Sequence, residues 1–490
     1  MPFTPLSRFV ASSFSILKRS MMQDDQLPLA EAIDDERWQQ VFEEHGVNFG
    51  SDPDAVYTPA ITLWALISQV FFANEQRSCK AAVMRVASLW AALGRRVCGT
   101  NTGAYCRARL KIPYTVVREI TLRLAIDAEA ALDRDTNLSD TQIGQQAPQV
   151  VADVKSTPTG GRILLVDGFT ITAADTEENQ AEYPQNPSQK EGLGFPILRC
   201  VSLISMATGL LVDLAVGPYS GKETGETALL WQLLDSLSSG DTLVADSYYC
   251  TYWLVGACQK RGVHIVMKNH HKRDDHPANA QRLSKSERLV TWDRPQRPAW
   301  MSEEEYDDQP LTITIRLVDV KVKQRGFRPN HFTVATTVTD RKVFTAEWIG
   351  SVYQSRWLVE LDIRAIKCSL GMDILRAKTP EMVRTELWSC LLAYNLIRVK
   401  MLQSCAAEGR EARSLSFATT QQMLASNWLL CAVVGVTPEL VKLGQTAPCS
   451  QRVGHRDGRV EPRGNKRRPK LLALLAKPRK VYQAELKAAV

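Results

Sequence analysis

Between residues 57 and 132 apolar side chains recur at helical spacing, with breaks at VCGTNTGA (97–104) and KIPYT (111–115), where Pro113 opens a new helix. The pattern predicts an all-helical module over 57–134, preceded by an acidic segment, 1–56. Residues 135–161 are polar and rich in Gly, Pro, Ser, Thr and Gln, the composition of a linker. Beyond the linker the period shortens. ILLVDGFTITAAD (163–175) reads as a strand, a tight turn and a second strand. ILRCVSLISMA (197–207) and LLVDLAVG (210–217) read as two strands joined at Thr208-Gly209. A helix (226–237), a strand (242–246), a helix closed by Gly262 (251–262) and a strand (263–268) follow. Antiparallel strands followed by strand–helix–strand crossovers imply one mixed sheet flanked by helices.

The charged block 269–344 has its best strands at 311–322 and 331–338 and reads as a β-rich insertion. A long helix is expected from Thr345 to about Leu370, where Gly371 can close it. Helices at 380–404 and 416–434 complete a C-terminal helical region, 381–448, and a basic tail fills 449–490. On this division the mixed-sheet core comprises 162–268 and 345–380.

Composition adds little until charge is resolved by position. The 490 residues are 44% apolar and 23% charged, a globular balance with length for two to four domains. Apolar runs such as 61–72 and 428–436 are too short to span a bilayer, and eleven scattered cysteines without a C-x-x-C pair suit a reduced compartment. A soluble, cytoplasmic protein without membrane contact is expected. Residues 451–490 hold 12 Lys/Arg against 3 Asp/Glu, and residues 77–118 hold nine Lys/Arg and no acid. Residues 21–54 carry ten acids and one base. Two basic zones around a near-neutral middle suggest a polyanion gripped at more than one place.

Three carboxylates stand out. Asp167 and Asp246 each follow an apolar strand, at the edge where active sites of open α/β sheets gather. Glu360 lies in YQSRWLVELDIRAIK (353–367), where Tyr353, Arg356, Glu360 and Lys367 share about a 60° arc of one helix face. Ion pairs to Arg356 and Arg364 would explain Glu360 alone, but leave Tyr353, Lys367 and the adjacent Trp357 without a purpose. Carboxylates beside cations and aromatic rings suit a face turned toward divalent metal and phosphodiester.

The spacing Tyr-x2-Arg-x3-Glu-x6-Lys resembles the Tyr-Arg-Glu-Lys signature of bacterial insertion-sequence DDE transposases of the "IS four" type. VDGFTI around Asp167, YPQNPSQKEGLGFP (183–196), ATGLLVDLAVGPYSGKETGE (207–226) and LVADSYY around Asp246 are similar to that family's core. NTGAYCRARLKIP (101–113) and RVEPRGNKRRPK (459–470) extend the likeness, so that it spans about 100–480. The resemblance implies an α/β, RNase H-like mixed-sheet core in which Asp167, Asp246 and Glu360 bind Mg²⁺ or Mn²⁺, two ions together. It implies that Tyr353, Arg356 and Lys367 contact transposon-end phosphates, and that Trp357 handles a flipped base if cleavage passes through a hairpin. Relatives often carry Arg after the second Asp; here Ser247 and Tyr248 follow, which leaves that phosphate contact open.

The expected partners are double-stranded DNA, as terminal inverted repeats and target, and a second copy of the chain in a synaptic dimer. Arg107, Arg109 and Lys111 are the cations expected to read the ends, with Arg463, Lys466, Arg467, Arg468 and Lys470 adding salt-sensitive phosphate binding. A nuclease or resolvase without strand transfer would share the carboxylates, and a DNA-binding regulator descended from a transposase would have lost the chemistry. A carbohydrate-active enzyme would leave the basic zones unused.

Overall fold

The computed structural model describes residues 13–451 and 475–489, except 135–155, 323–329 and positions 53, 74, 75, 96, 223, 279 and 412. Most of the expected linker and the tail cations Arg463, Lys466, Arg467, Arg468 and Lys470 therefore lie outside the described residues.

Among the described residues nine strands form one sheet in the order β3-β2-β1-β4-β5-β9-β8-β7-β6. Strands β1 (Ile163–Thr172), β2 (Ile197–Ser205) and β3 (Leu211–Pro218) are antiparallel neighbours, with Gly209 in the left-handed region (φ +75°) at the β2–β3 turn. β4 (Thr242–Ala245) adds to β1 in parallel and β5 (His264–Lys268) to β4, the crossovers being made by short helices. The 3-2-1-4-5 half is the RNase H-like mixed core. The remaining strands, β6 (Gln281–Arg282), β7 (Glu287–Asp293), β8 (Thr312–Val322) and β9 (Asn330–Thr336), continue the same sheet, because β9 pairs with the free edge of β5. Pairing covers an edge that would otherwise expose a row of unpaired backbone groups.

β1 differs from expectation. In place of strand, turn and strand, it runs unbroken to Thr172, with Asp167 at mid-strand. β2 lies alongside the whole length, from Leu164 opposite Ser205 to Thr172 opposite Ile197, and this ladder overrides the turn signal of Gly168.

Each face of the core sheet is covered. On one face Leu164, Val166, Leu243 and Ala245 pack under the helices Glu226–Trp231 and Tyr252–Lys260. On the other, Ile163, Leu165 and Val244 join a larger core with the helices on both sides of the sheet in sequence: Pro59–Phe71, Tyr114–Arg134, Pro380–Glu408 and Phe417–Val434. The N-terminal segment joins it too. Phe14, Ile16, Leu17 and Met21 are buried, and Ser20 accepts a hydrogen bond from Trp64 Nε1 (2.8 Å) while donating to the carbonyl of Trp428 (2.9 Å). At the other end, the expected tail closes in a helix, Arg479–Ala488, whose Lys480 meets Glu177.

The expected long helix is segmented. Thr345 caps an α-helix, Ala346–Gln354; a 3-10 turn follows at Ser355–Trp357, an α-turn pair at Leu358–Arg364 and a π turn at Ala365–Ser369, before Gly371 (φ +64°) ends it. Tightening one turn and widening another changes the angular step per residue, so the ideal stripe is only approximate.

Candidate active site

The alternation of side chains along a strand decides which residues meet. In β1, Asp167 shares its face with Leu165, and in the chain leaving β4, Asp246 continues the face of Val244. Both aspartates are thus turned to the side on which helix 346–369 lies. The parallel register pairs Ile163 with Thr242 and Leu165 with Val244; Asp167 and Asp246 each lie two residues beyond that last pair, near enough for the charge of Asp246 to act on Asp167. β4 stops at Ala245, so the second carboxylate stands in the opening where the ladder ends. The backbone N–H of Tyr248 donates to Asp246 Oδ1 (2.8 Å) and that of Gly168 to Asp167 Oδ1 (2.9 Å).

Glu360 comes to the same cleft from the helix. Arg356 connects them: one guanidinium nitrogen is 2.9 Å from Glu360 Oε1 and another 3.7 Å from Asp167 Oδ2. Burial pushes the Asp167 carboxyl up to about 6; Arg356 opposes this, and the charges of Asp246 and Glu360 add to it. Glu360 is 58% exposed at its side chain, against 24% for Asp167. Among the described residues no three Asp, Glu, His or Cys side chains stand close enough to hold a metal ion. The expected ligands surround one cleft with a guanidinium between two of them. An all-oxygen donor set suits a hard divalent cation.

Tyr353 is partly buried against Phe332 (ring centroids 5.1 Å apart), its hydroxyl pushed up chiefly by burial, which the charge of Arg356 opposes. Lys367, in the π turn, donates to the carbonyl of Thr170 on β1 (2.8 Å). Trp357 leaves 46% of its surface in solvent. Of the signature residues, Arg356 and Glu360 meet at the cleft, while Tyr353 packs on Phe332 and Lys367 is tied to the strand.

The helical cations are less uniform. Arg107 and Lys111 are exposed, Lys111 lying 5.3 Å from the Phe49 ring. Arg109 turns inward, its guanidinium 3.3 Å from Cys79 Sγ and over the Tyr105 ring. Two further members of the basic run are internal: Arg77 is buried and paired with Glu386 (2.8 Å), and Arg85 is buried with Ser68 (3.0 Å). One guanidinium nitrogen of Arg118 reaches both carboxylate oxygens of Asp213 (2.9 Å to each). Distant acids thus neutralise part of a run that is acid-free in sequence.

Sequence reasoning missed Glu226 and Tyr249. Tyr249 donates to Glu226 Oε2 (3.0 Å), and the Glu226 carboxylate presses on the backbone of Gly168 from the face opposite Asp167: a Cβ there would lie 2.3–2.6 Å from it. Burial, then Glu226, drives the Tyr249 hydroxyl far up, so it stays a donor. A glycine directly after Asp167 was the available signal.

Residues 158–396, just under half of the chain, match the family described as Transposase DDE domain. The match makes the chain similar to DDE transposases, that of the IS4 element among them. The transposase InsG for insertion sequence element IS4 of Escherichia coli (strain K12) is 26% identical over 321 residues, covering 63% of this chain and 69% of that one. The transposase for insertion sequence element IS421 of Escherichia coli is 34% identical over 67 residues, 14% of this chain and 18% of its own length. The solved piggyBac transposase synaptic complex with hairpin DNA aligns over 90% of this chain and 87% of that one, at 9% identity and a TM-score of 0.40, a likeness that carries no weight for function. Among the described residues no helix is long and apolar enough to cross a membrane.

Proposed function

We propose that this transposase binds the terminal inverted repeats of its own element, cleaves beside them and joins the freed 3′-hydroxyls to target DNA, with Asp167, Asp246 and Glu360 as the catalytic carboxylates. What supports this reading is that Asp167 and Asp246 each lie two residues past the last β1–β4 pair, Leu165 with Val244, on the face that Arg356 and Glu360 approach. Mg²⁺ or Mn²⁺, two ions held by the three carboxylates, would activate the attacking oxygen and neutralise charge on the leaving one. Arg356 spans two acids without DNA and is placed to pass to a phosphate when a strand enters. Tyr353 orients that guanidinium, Lys367 holds β1 and faces the same strand, and the exposed Trp357 offers a stacking surface for a base. Arg107 and Lys111, with the tail cations, supply phosphate contacts away from the cleft, Arg109 contributing through the packing of its helix. Two ends held at once call for a dimer.

The test is a reaction of the full chain with duplexes bearing the element's ends and a plasmid target, with Mg²⁺ or with EDTA. Mg²⁺-dependent joined products are expected. Cleavage without joining would favour the nuclease reading, and specific binding without either would favour the regulator.

A further inference from the structure

Two residues past Glu360, the same helix carries a carboxylate that the chemistry does not use. Asp362 is 0% exposed and held by two arginines. Arg398, from helix 380–408, bonds its Oδ1; Arg413, from the loop after that helix, donates to Oδ2 (2.8 Å). Both arginines continue to one place. Arg413 also donates to the carbonyls of Ser205 (2.7 Å) and Met206 (2.6 Å), at the end of β2. Arg398 Nε donates to Tyr394 Oη (3.0 Å), which donates to the carbonyl of Gly209 in the β2–β3 turn (2.7 Å). Gly209 admits this approach because it lacks a Cβ, which would sit 3.0 Å from the Arg398 guanidinium carbon. β2 in turn is the ladder partner of β1: Ser202 lies opposite Asp167 and donates to its carbonyl (3.3 Å).

The helix needs such a tether. Its α-helical stretch around Glu360 is seven residues long, between a 3-10 turn and a π turn, so backbone hydrogen bonding alone sets its rotation and advance weakly. Two opposed cations on a fully buried carboxylate fix both. A buried ion triad of this kind does not by itself argue for stability, since apolar residues of like volume often serve as well; its better-attested use is to specify one arrangement.

We propose that Asp362, with Arg398 and Arg413, is the positioning device of the active site: it sets the helix bearing Glu360 in register with β2, and hence with Asp167. This rests on Glu360 and the two aspartates being the catalytic carboxylates. The probes are Tb³⁺ luminescence of the DNA-free full chain, as a report on the acidic cleft, and single-turnover nicking of end DNA at saturating enzyme across a Mg²⁺ titration. Asp362→Asn is expected to weaken Tb³⁺ binding and lower the nicking rate by about 10–100-fold, raise the half-maximal Mg²⁺ concentration, and leave the affinity for end DNA unchanged. Should that variant fail to fold, Arg413→Met is expected to show the same pattern and Arg413→Lys, which retains the cation, to recover most of the loss.

A folded Asp362→Asn or Arg413→Met with the wild-type Tb³⁺ and Mg²⁺ responses overturns the proposal, as does a rate loss that merely follows the fraction unfolded. The two readings separate in the wild type. If it neither binds Tb³⁺ nor cleaves, the proposed function fails; if it does both and the variants match it, the positioning role alone fails.

Discussion

The strand-borne and helix-borne halves of the cleft are held by different forces. Asp167 and Asp246 depend on backbone: Asp167 lies within the β1–β2 ladder, Asp246 directly follows β4, and strand alternation sets the face they share. Glu360 is placed by side chains. Its short helix segment leans on Arg356 at the surface and, through Asp362, on buried arginines. Backbone placement is stiff and tolerates neighbouring changes; side-chain placement can be broken or released at a few atoms. The carboxylate expected to move when DNA and metal arrive is therefore Glu360, already the more exposed one.

Substitutions can break the comparison at either half. The largest expected effect on the fold is on the helix side: Asp362→Leu leaves Arg398 and Arg413 buried without their acid and should cost about 3–5 kcal/mol in urea unfolding. Replacing both arginines by methionine in the same chain should recover much of that stability without restoring nicking. On the strand side, Gly168→Ala makes the Glu226 carboxylate swing aside from its bond with Tyr249 and should cost about 1 kcal/mol. Combining it with Glu226→Ala should relieve most of the loss.

A smaller effect follows from Asp167. Its carboxyl stands at about 6 when folded against 3.8 ordinarily, so between those values the folded chain holds a proton the unfolded chain has lost. Stability without metal should fall as pH rises through that window, and thermal melts of Asp167→Asn should show a flatter slope there. Smallest of all, Trp357→Ala should change stability by no more than about 0.5 kcal/mol, since the ring is half exposed. Any effect on hairpin products would then belong to base handling.

What the sequence made legible divides along the same line. Apolar runs located β1 to β5 and the β2–β3 hairpin because a buried strand advertises itself by composition. The acids were legible as strand-following or signature residues. Gly168 misled because a glycine after Asp reads as a turn, while its actual constraint is a carboxylate from a helix some sixty residues away in the chain. The acid-free run at 77–118 read as a surface for polyanion, yet Arg77 and Arg118 find Glu386 and Asp213 across the fold, pairings no local window contains.

The 3-10 and π turns left no mark in a continuous helical pattern. Asp362 did leave one: it sits three and four residues after Val359 and Leu358, on the apolar side of its helix, where a carboxylate needs a buried partner. The partners themselves, Arg398 and Arg413, could not be read from spacing.

The most direct measurement is single-turnover strand transfer of pre-cleaved 3′-hydroxyl ends by the wild type and by Asp167→Asn, Asp246→Asn and Glu360→Gln in parallel, with end binding measured on each. All three substitutions should lower the rate roughly 10³-fold or more while binding persists, because the carboxylates act as one unit. A near-wild-type rate from any one of them would contradict the assignment of that carboxylate and the shared cleft built on it.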